Sequence, residues 1–217
     1  MIDFGELNGR GWTLVAGVSS RAALFDLAKL IGPPLPHPNG EMVKEVRVVP
    51  VEAAKRSTLS SRFGAQSFPL HTDTAFLTVP ARYLVLRVVG DTRRTTTILP
   101  FRSIIDEFGR SVSDWAERSV WYLRTPSHST YCSMRFRVRD LAGWRFDGQC
   151  MFPANATARQ MSAAVQNQTI QQKIEQIDWS TGCAAVISNW TVLHGRGPAP
   201  NDERDRVLER VYVGCEE

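Results

Sequence analysis

The stretch Phe68–Phe76, FPLHTDTAF, sets a histidine and an aspartate two residues apart between apolar neighbours. Side chains of a strand alternate between its faces, so His71 and Asp73 point to one side and can converge on a metal ion. A lone pair of this kind arises by chance often enough to need a third ligand. The stretch ISNWTVLHGRGPAP supplies one in His194, at the end of a strand-like run and before a Pro/Gly loop. Two histidines and a carboxylate can occupy one face of an octahedron and leave three positions open, which suits Fe(II), whereas zinc is more often held tetrahedrally with one open position. His37, set among prolines, and His128, in TPSHSTY with no carboxylate close by in sequence, are poorer ligands.

A second constellation lies in the C-terminal run RDRVLERVYV. Arg206 and Arg210 are four apart, so on a strand they share a face, inward if Val207 and Val211 face outward. Two guanidiniums aimed into a core are costly unless anions pair with them. A dicarboxylate gripped through two parallel charge-assisted bonds, with its other end on the metal, is one solution. Ion pairs with Asp205 or Glu209 are the structural alternative.

These residues need elements to position them. SSRAALFDLAKLIG carries Ser20 as N-cap, apolar residues at helical spacing and Gly32 beyond the last of them, and so predicts a helix. The prolines of PPLPHPNG then break it. MVKEVRVVPV predicts a strand ending at Pro50, ARYLVLRVVG a buried β-branched strand and RTTTIL a third. FRSIIDEFGRSVSDWAERSVWYL predicts one or two helices, and YCSMRFRVRDL and WRFDGQCMF two strands. ATARQMSAAVQNQTIQQKIEQI predicts one long helix, and CAAVISNWTVLHG and RVLERVYVG two more strands. Strands flanking helical insertions, without βαβ alternation, predict a mainly β fold with flanking helices, a barrel or jelly roll.

The chain has 217 residues, 43% hydrophobic and 22% charged, enough for one substantial core, and residues 1–217 are read as a single domain. No apolar run approaches the roughly 20 residues of a membrane span, and MIDFGELNGRGW has neither a basic nor an apolar leader region, so a cytoplasmic protein with no membrane partner is expected. Cys132, Cys150, Cys183 and Cys215 form no C-x-x-C pair and read as structural thiols. The net charge of +4 raises nucleic acid as a partner, but no Lys/Arg run exceeds two and the basic residues alternate with acids or apolar residues.

Four stretches, FPLHTD at 68–73, GDTRRT at 90–95, SNWTVLHGR at 188–196 and RVLERVYV at 206–213, occur in the order found in one family. With them the chain, from the helix at Ser20 onward, resembles the taurine dioxygenase and clavaminate synthase-like Fe(II)/2-oxoglutarate oxygenases. The resemblance implies a double-stranded β-helix, a cupin-like jelly roll. It implies Fe(II) on His71, Asp73 and His194, and 2-oxoglutarate held by Thr95 and by Arg206, twelve residues after His194. Thr96 and Thr97 adjoin Thr95, so the threonine can shift by one. Arg210 matches a second arginine that touches substrate in some members and supports the co-substrate in others. The chain is short for the family, with little room for lid insertions between the two histidines.

The reaction so implied consumes O₂ and 2-oxoglutarate, releases succinate and CO₂, and oxidises a substrate C–H bond. Members that halogenate lack the carboxylate ligand, so Asp73 favours hydroxylation, with desaturation and ring closure as alternatives. A guanidinium left in the cavity at Arg210 favours a small polar metabolite bearing a carboxylate, such as an amino acid. Arg145 and Asp147 are candidate substrate contacts, with a salt bridge between strand residues as the structural alternative. Trp144, Phe146 and Trp190 read as core. A nucleic-acid-directed dioxygenase is disfavoured, because Arg206 stands where that family carries asparagine and the separation of 123 positions from His71 to His194 exceeds its compact spacing. A metal-binding cupin-like module would keep the triad and need no dicarboxylate grip.

Overall fold

The computed structural model describes residues 1–49, 51–54, 60–90, 92–179, 182–197 and 207–215. In chain order the strands are β1 (Trp12–Ala16), β2 (Pro34–Leu35), β3 (Lys44–Arg47), β4 (Phe68–His71), β5 (Tyr83–Val89), β6 (Thr96–Pro100), β7 (Trp121–Arg124), β8 (Ser129–Cys132), β9 (Arg135–Val138), β10 (Leu141–Trp144), β11 (Met151–Pro153), β12 (Glu175–Ile177), β13 (Cys183–Ser188), β14 (Val192–Arg196) and β15 (Val207–Val213). The helices are α1 (Phe4–Arg10), α2 (Arg21–Ile31), α3 (Ser60–Phe63), α4 (Phe101–Phe108), α5 (Ser111–Arg118), α6 (Ala156–Gln166) and α7 (Gln168–Gln171).

Two antiparallel sheets make the jelly roll. The larger runs β1-β13-β5-β15-β2, with β3 also paired to β15, and the smaller runs β12-β6-β14-β4. Alternation sorts the strand residues. Val85, Val186, Val211 and Val213 of the larger sheet pack with Leu24, Leu27 and Ala28 of α2. Leu84, Leu86, Ala185, Ile187 and Tyr212 of the opposite face meet Ile98, Ile177 and Val192 of the smaller sheet. A third apolar cluster, including Leu99, Leu193, Phe101, Trp121, Trp144 and Met161, joins the outer face of the smaller sheet to the inserted helices and short strands.

Helix α2 forms as the sequence predicts, with the Ser20 hydroxyl accepting from the Ala23 N–H. The helical stretch after Pro100 divides into α4 and α5, and its last residues become strand β7, paired with β8 and β11. Four expectations need correction. YCSMRFRVRDL is not one strand but the end of β8, all of β9 and the start of β10, which turns back at Arg139, φ 52°, to pair with β9. The long helix of residues 156–177 ends at Gln166, because Asn167 leaves helical geometry and caps α7 with its side chain, and residues 175–177 pair with β6 as β12. The stretch 144–152 is not one strand: Cys150 and Met151 N–H groups both donate to the Asp147 carbonyl, folding residues 147–151 into a turn between β10 and β11. CAAVISNWTVLHG holds two strands, β13 and β14, joined by a turn in which the Thr191 N–H donates to the Ser188 carbonyl. That turn carries the chain from the larger sheet into the smaller. Residue Pro50, where the strand at β3 was expected to end, lies outside the described residues.

Candidate metal centre

Strands β4 and β14 pair antiparallel with His71 opposite His194, which sets the two ring centroids 4.4 Å apart. The pairing shifts register between His194 and Arg196, and Gly195 sits at the shift. A Cβ there would stand 2.6 Å from the Phe68 carbonyl oxygen and 2.7 Å from the Thr97 hydroxyl, so the close approach of β4, β14 and β6 needs glycine.

Asp73 reaches the same point by a different route from strand alternation. Strand β4 ends at His71, and Thr72 turns to Phe146, its N–H donating to the Phe146 carbonyl at 2.7 Å and its hydroxyl accepting the Phe146 N–H at 3.1 Å. Thr74 then takes a left-handed backbone, φ 57°, unusual for a β-branched residue. Its hydroxyl donates to the Asp73 carbonyl at 2.6 Å and accepts the Ala81 N–H at 2.8 Å, which secures the turn. Asn189, wholly buried, completes the frame. Its side-chain oxygen accepts the Asp73 N–H at 2.9 Å, and its amide donates to the Asp73 and Ala81 carbonyls at 2.9 and 2.7 Å.

The result is one donor atom from each of His71, Asp73 and His194, all within 4.8 Å of one another and all buried. His71 Nε2 lies 3.3 Å from Asp73 Oδ1, and His194 Nε2 lies 3.8 Å from Asp73 Oδ2. His71 Nδ1 is 3.0 Å from the Pro69 carbonyl, so it carries the proton and leaves the Nε2 lone pair facing the centre. Burial and the neighbouring His71 push His194 down to about 3, so it is a neutral imidazole with a free lone pair. Burial works against the Asp73 charge, but Arg210 and the two histidines outweigh it and hold its carboxyl well below the usual range. Burial lowers the His71 pKa, but the adjacent Asp73 carboxylate outweighs it and raises the affinity of Nε2 for a proton, whose place a metal cation would take. Two imidazole nitrogens and a carboxylate oxygen on one side of a cavity fit a divalent iron, with room left for further ligands.

Arg210 projects from β15 to this centre as alternation predicts, with Val211 on the opposite face against α2 rather than in solvent. Its Nη1 donates to Asp73 Oδ2 at 2.6 Å, and its Nε is buried without a partner. Behind it, His37 Nε2 lies 3.1 Å from the Arg210 carbonyl, and its ring packs on Tyr212 at 4.2 Å. The Arg210 guanidinium lies 4.7 Å over that Tyr212 ring. Burial and Arg210 lower His37 to about 4, so it is neutral and serves as a prop, not a ligand.

A cavity of about 530 Å³ opens onto the centre. Asp147 lines it, with one carboxylate oxygen accepting the Gln149 N–H at 2.8 Å and the other facing the Cys150 thiol at 3.4 Å. Thr96 lines it too. Thr95 precedes β6, with its hydroxyl 2.4 Å from where a Gly197 Cβ would stand, and does not line the cavity. Arg145 is directed elsewhere: it donates to the carbonyls of Ala75, Leu77 and Thr78 at 3.2, 2.6 and 2.8 Å, clasping the loop after Asp73, and has no ion pair with Asp147. Arg206 lies outside the described residues. Trp144, Phe146 and Trp190 are core, as expected.

Sequence reasoning missed Asn189, Tyr212 and the wall that β3 contributes. Asn189 stands in the stretch SNWT between two apolar runs, which marks a turn but not the amide's contacts with Asp73 and Ala81. The four cysteines are free thiols, and no helix among the described residues is long and apolar enough to cross a membrane.

No family model and no curated protein sequence matches the chain. Solved structures do. An asparagine oxygenase in complex with Fe(II), 2S,3S-3-hydroxyasparagine and succinate aligns at 18% identity with a TM-score of 0.75, covering 97% of this chain and 77% of that one. The non-haem iron oxygenase OrfP in complex with Fe and alpha-ketoglutaric acid aligns at 17% identity and a TM-score of 0.75, covering 98% of this chain and 77% of that one. OrfP with Fe, succinate and (3S)-hydroxy-L-Arg aligns at 16% identity and a TM-score of 0.76, covering 98% and 79%. The chain therefore has the jelly-roll fold of these oxygenases.

Proposed function

We propose that this chain is an Fe(II)- and 2-oxoglutarate-dependent dioxygenase that hydroxylates a small carboxylate-bearing metabolite of the amino-acid kind. The observation that carries the reading is the buried donor set of His71, Asp73 and His194 at the floor of a cavity. The fold shared with oxygenases solved with iron and amino-acid products supports it.

In this reading His71 Nε2, His194 Nε2 and an Asp73 oxygen hold the iron, which when bound with 2-oxoglutarate supplies activation of O₂ and oxidation of a C–H bond. The chain's own work is positioning. The Pro69 carbonyl keeps the proton on His71 Nδ1, and Asn189 with the Thr74 turn fixes where Asp73 stands. Thr96, or Thr95 beside it, and Arg206 are the proposed holders of the 2-oxoglutarate carboxylates. Arg210 keeps Asp73 ionised and offers its remaining donors to the acid group of substrate, and Asp147 faces the cavity as a partner for an ammonium group. Arg145, engaged by three carbonyls, acts on substrate only by holding the loop at 75–78 in place.

The test is succinate formation from 2-oxoglutarate by anaerobically iron-loaded protein on exposure to air, with amino acids, sulfonates, fatty acids and oligonucleotides as candidate substrates. Stimulation by an amino acid is expected, and Arg210→Ala should raise its KM by roughly 30-fold or more, the loss of about 2–5 kcal/mol in a buried charge-assisted contact. Stimulation by oligonucleotides alone would favour the nucleic-acid reading.

A further inference from the structure

Edge strand β3 forms one wall of the cavity. Lys44 stands opposite Arg210 and Val46 opposite Leu208, so both face the side to which Arg210 projects. Val48 and Val49 continue the wall, and Phe68, Phe76 and Leu86 line the remainder. Of the cations that line it, Arg196 is engaged by the Gly64 and Gln66 carbonyls and Arg47 pairs with Glu45 on the other face of β3, which leaves Arg210 and Lys44 to face a ligand. Arg210 has an unpartnered buried Nε, and beside it the Lys44 ammonium is held only by Glu41 at 3.1 Å, in a pair whose side chains are 36% and 47% exposed. A surface pair of that kind holds weakly and can be exchanged for a ligand. The cavity thus has a cationic corner and an apolar wall.

We propose that the substrate is an amino acid with an aliphatic or aromatic side chain, which lies against Val46, Val48 and Phe76 while its acid group sits at Arg210 with Lys44 alongside. This rests on the oxygenase reading and narrows it. The neighbouring structures hold products of asparagine and arginine. A side-chain amide or guanidinium placed against Val46, Val48 and Val49 would lose water without gaining a partner from them. An apolar side chain there gains from burial, and differences of one or two methylenes in such a pocket are worth about tenfold in selectivity.

The experiment is anaerobic calorimetric titration of the iron- and 2-oxoglutarate-loaded protein with L-leucine, L-phenylalanine, L-asparagine and L-arginine, paired with aerobic succinate measurements on the same set. L-Leucine or L-phenylalanine should bind at least about tenfold more tightly than either polar amino acid. Val46 is 36% exposed, so Val46→Asp should fold, and its new acid should weaken the apolar ligands about tenfold and improve L-arginine. Lys44→Met should weaken every amino acid and leave 2-oxoglutarate affinity unchanged. Equal or tighter binding of L-asparagine or L-arginine overturns the proposal, as does a Val46→Asp variant with the same order of preference. If 2-oxoglutarate is turned over to succinate but no amino acid binds, the inference falls and the oxygenase reading stands. If bound iron and 2-oxoglutarate give no succinate under any condition, both fall.

Discussion

Asp73 is held from three directions at once: its backbone by Asn189, its carbonyl by the Thr74 hydroxyl and its carboxylate by Arg210. Removing one hold tests whether position or charge limits the site. Asn189→Ala leaves the Asp73 N–H and the Ala81 carbonyl unpaired and the Asp73 carbonyl with the Thr74 hydroxyl alone, at about 1–3 kcal/mol for a buried group, and should weaken Fe(II) binding although no metal-facing side chain is replaced. Urea unfolding and iron titration check both effects. His37 gives a pH signature. It is 3% exposed and its folded pKa of about 4 lies below the ordinary histidine value of 6.5, so the unfolded chain takes up its proton first as pH falls. Stability is therefore complete above about pH 6.5, declines between 6.5 and 4, and levels off below, with a loss from this residue of at most roughly 3 kcal/mol. Urea midpoints across that range should fall more steeply for the native protein than for His37→Asn. The three candidate ligands were legible in the sequence because few residue types can do their chemistry. Asn189, Tyr212 and the role of His37 were not, because each acts through a contact more than a hundred residues away.

At the scale of elements, β4 and β14 are where the fold becomes chemistry, since their pairing alone sets His71 against His194. Gly195→Ala should force these strands apart, cost about 1–3 kcal/mol and weaken iron binding more than 2-oxoglutarate binding, as read by unfolding and by separate titrations. Helix α2 and strands β5, β6 and β15 were legible because capping, β-branching and alternation all agree there. The helix expected over 156–177 failed where local signals were overridden. Asn167 prefers capping to helix interior, and residues 175–177 complete the edge of the smaller sheet through pairing with β6. Strand β3 was foreseen as a strand but not as a cavity wall, since its register against β15 exists only in the folded molecule.

For the whole molecule, the sandwich of two sheets encloses the centre, so ligands of the centre should stabilise the entire fold. Iron at about 100 times its dissociation constant should add roughly 2.7 kcal/mol and 2-oxoglutarate at the same excess a similar amount, seen as a raised melting temperature that depends on ligand concentration. We propose that residues 1–217 unfold as one unit, and a single calorimetric transition that moves as a whole on loading is the expected outcome. The charge and composition of the chain bounded this architecture without specifying it. The expected jelly roll holds, while the strand order within its two sheets rests on pairings that a sequence cannot display. The most direct test of the account is anaerobic Fe(II) titration of the native protein and of His194→Ala, followed by oxygen exposure with 2-oxoglutarate and measurement of succinate. One iron per native chain with succinate formed is expected, and weakened iron binding with no succinate in the variant. Full iron binding and turnover in His194→Ala would contradict it.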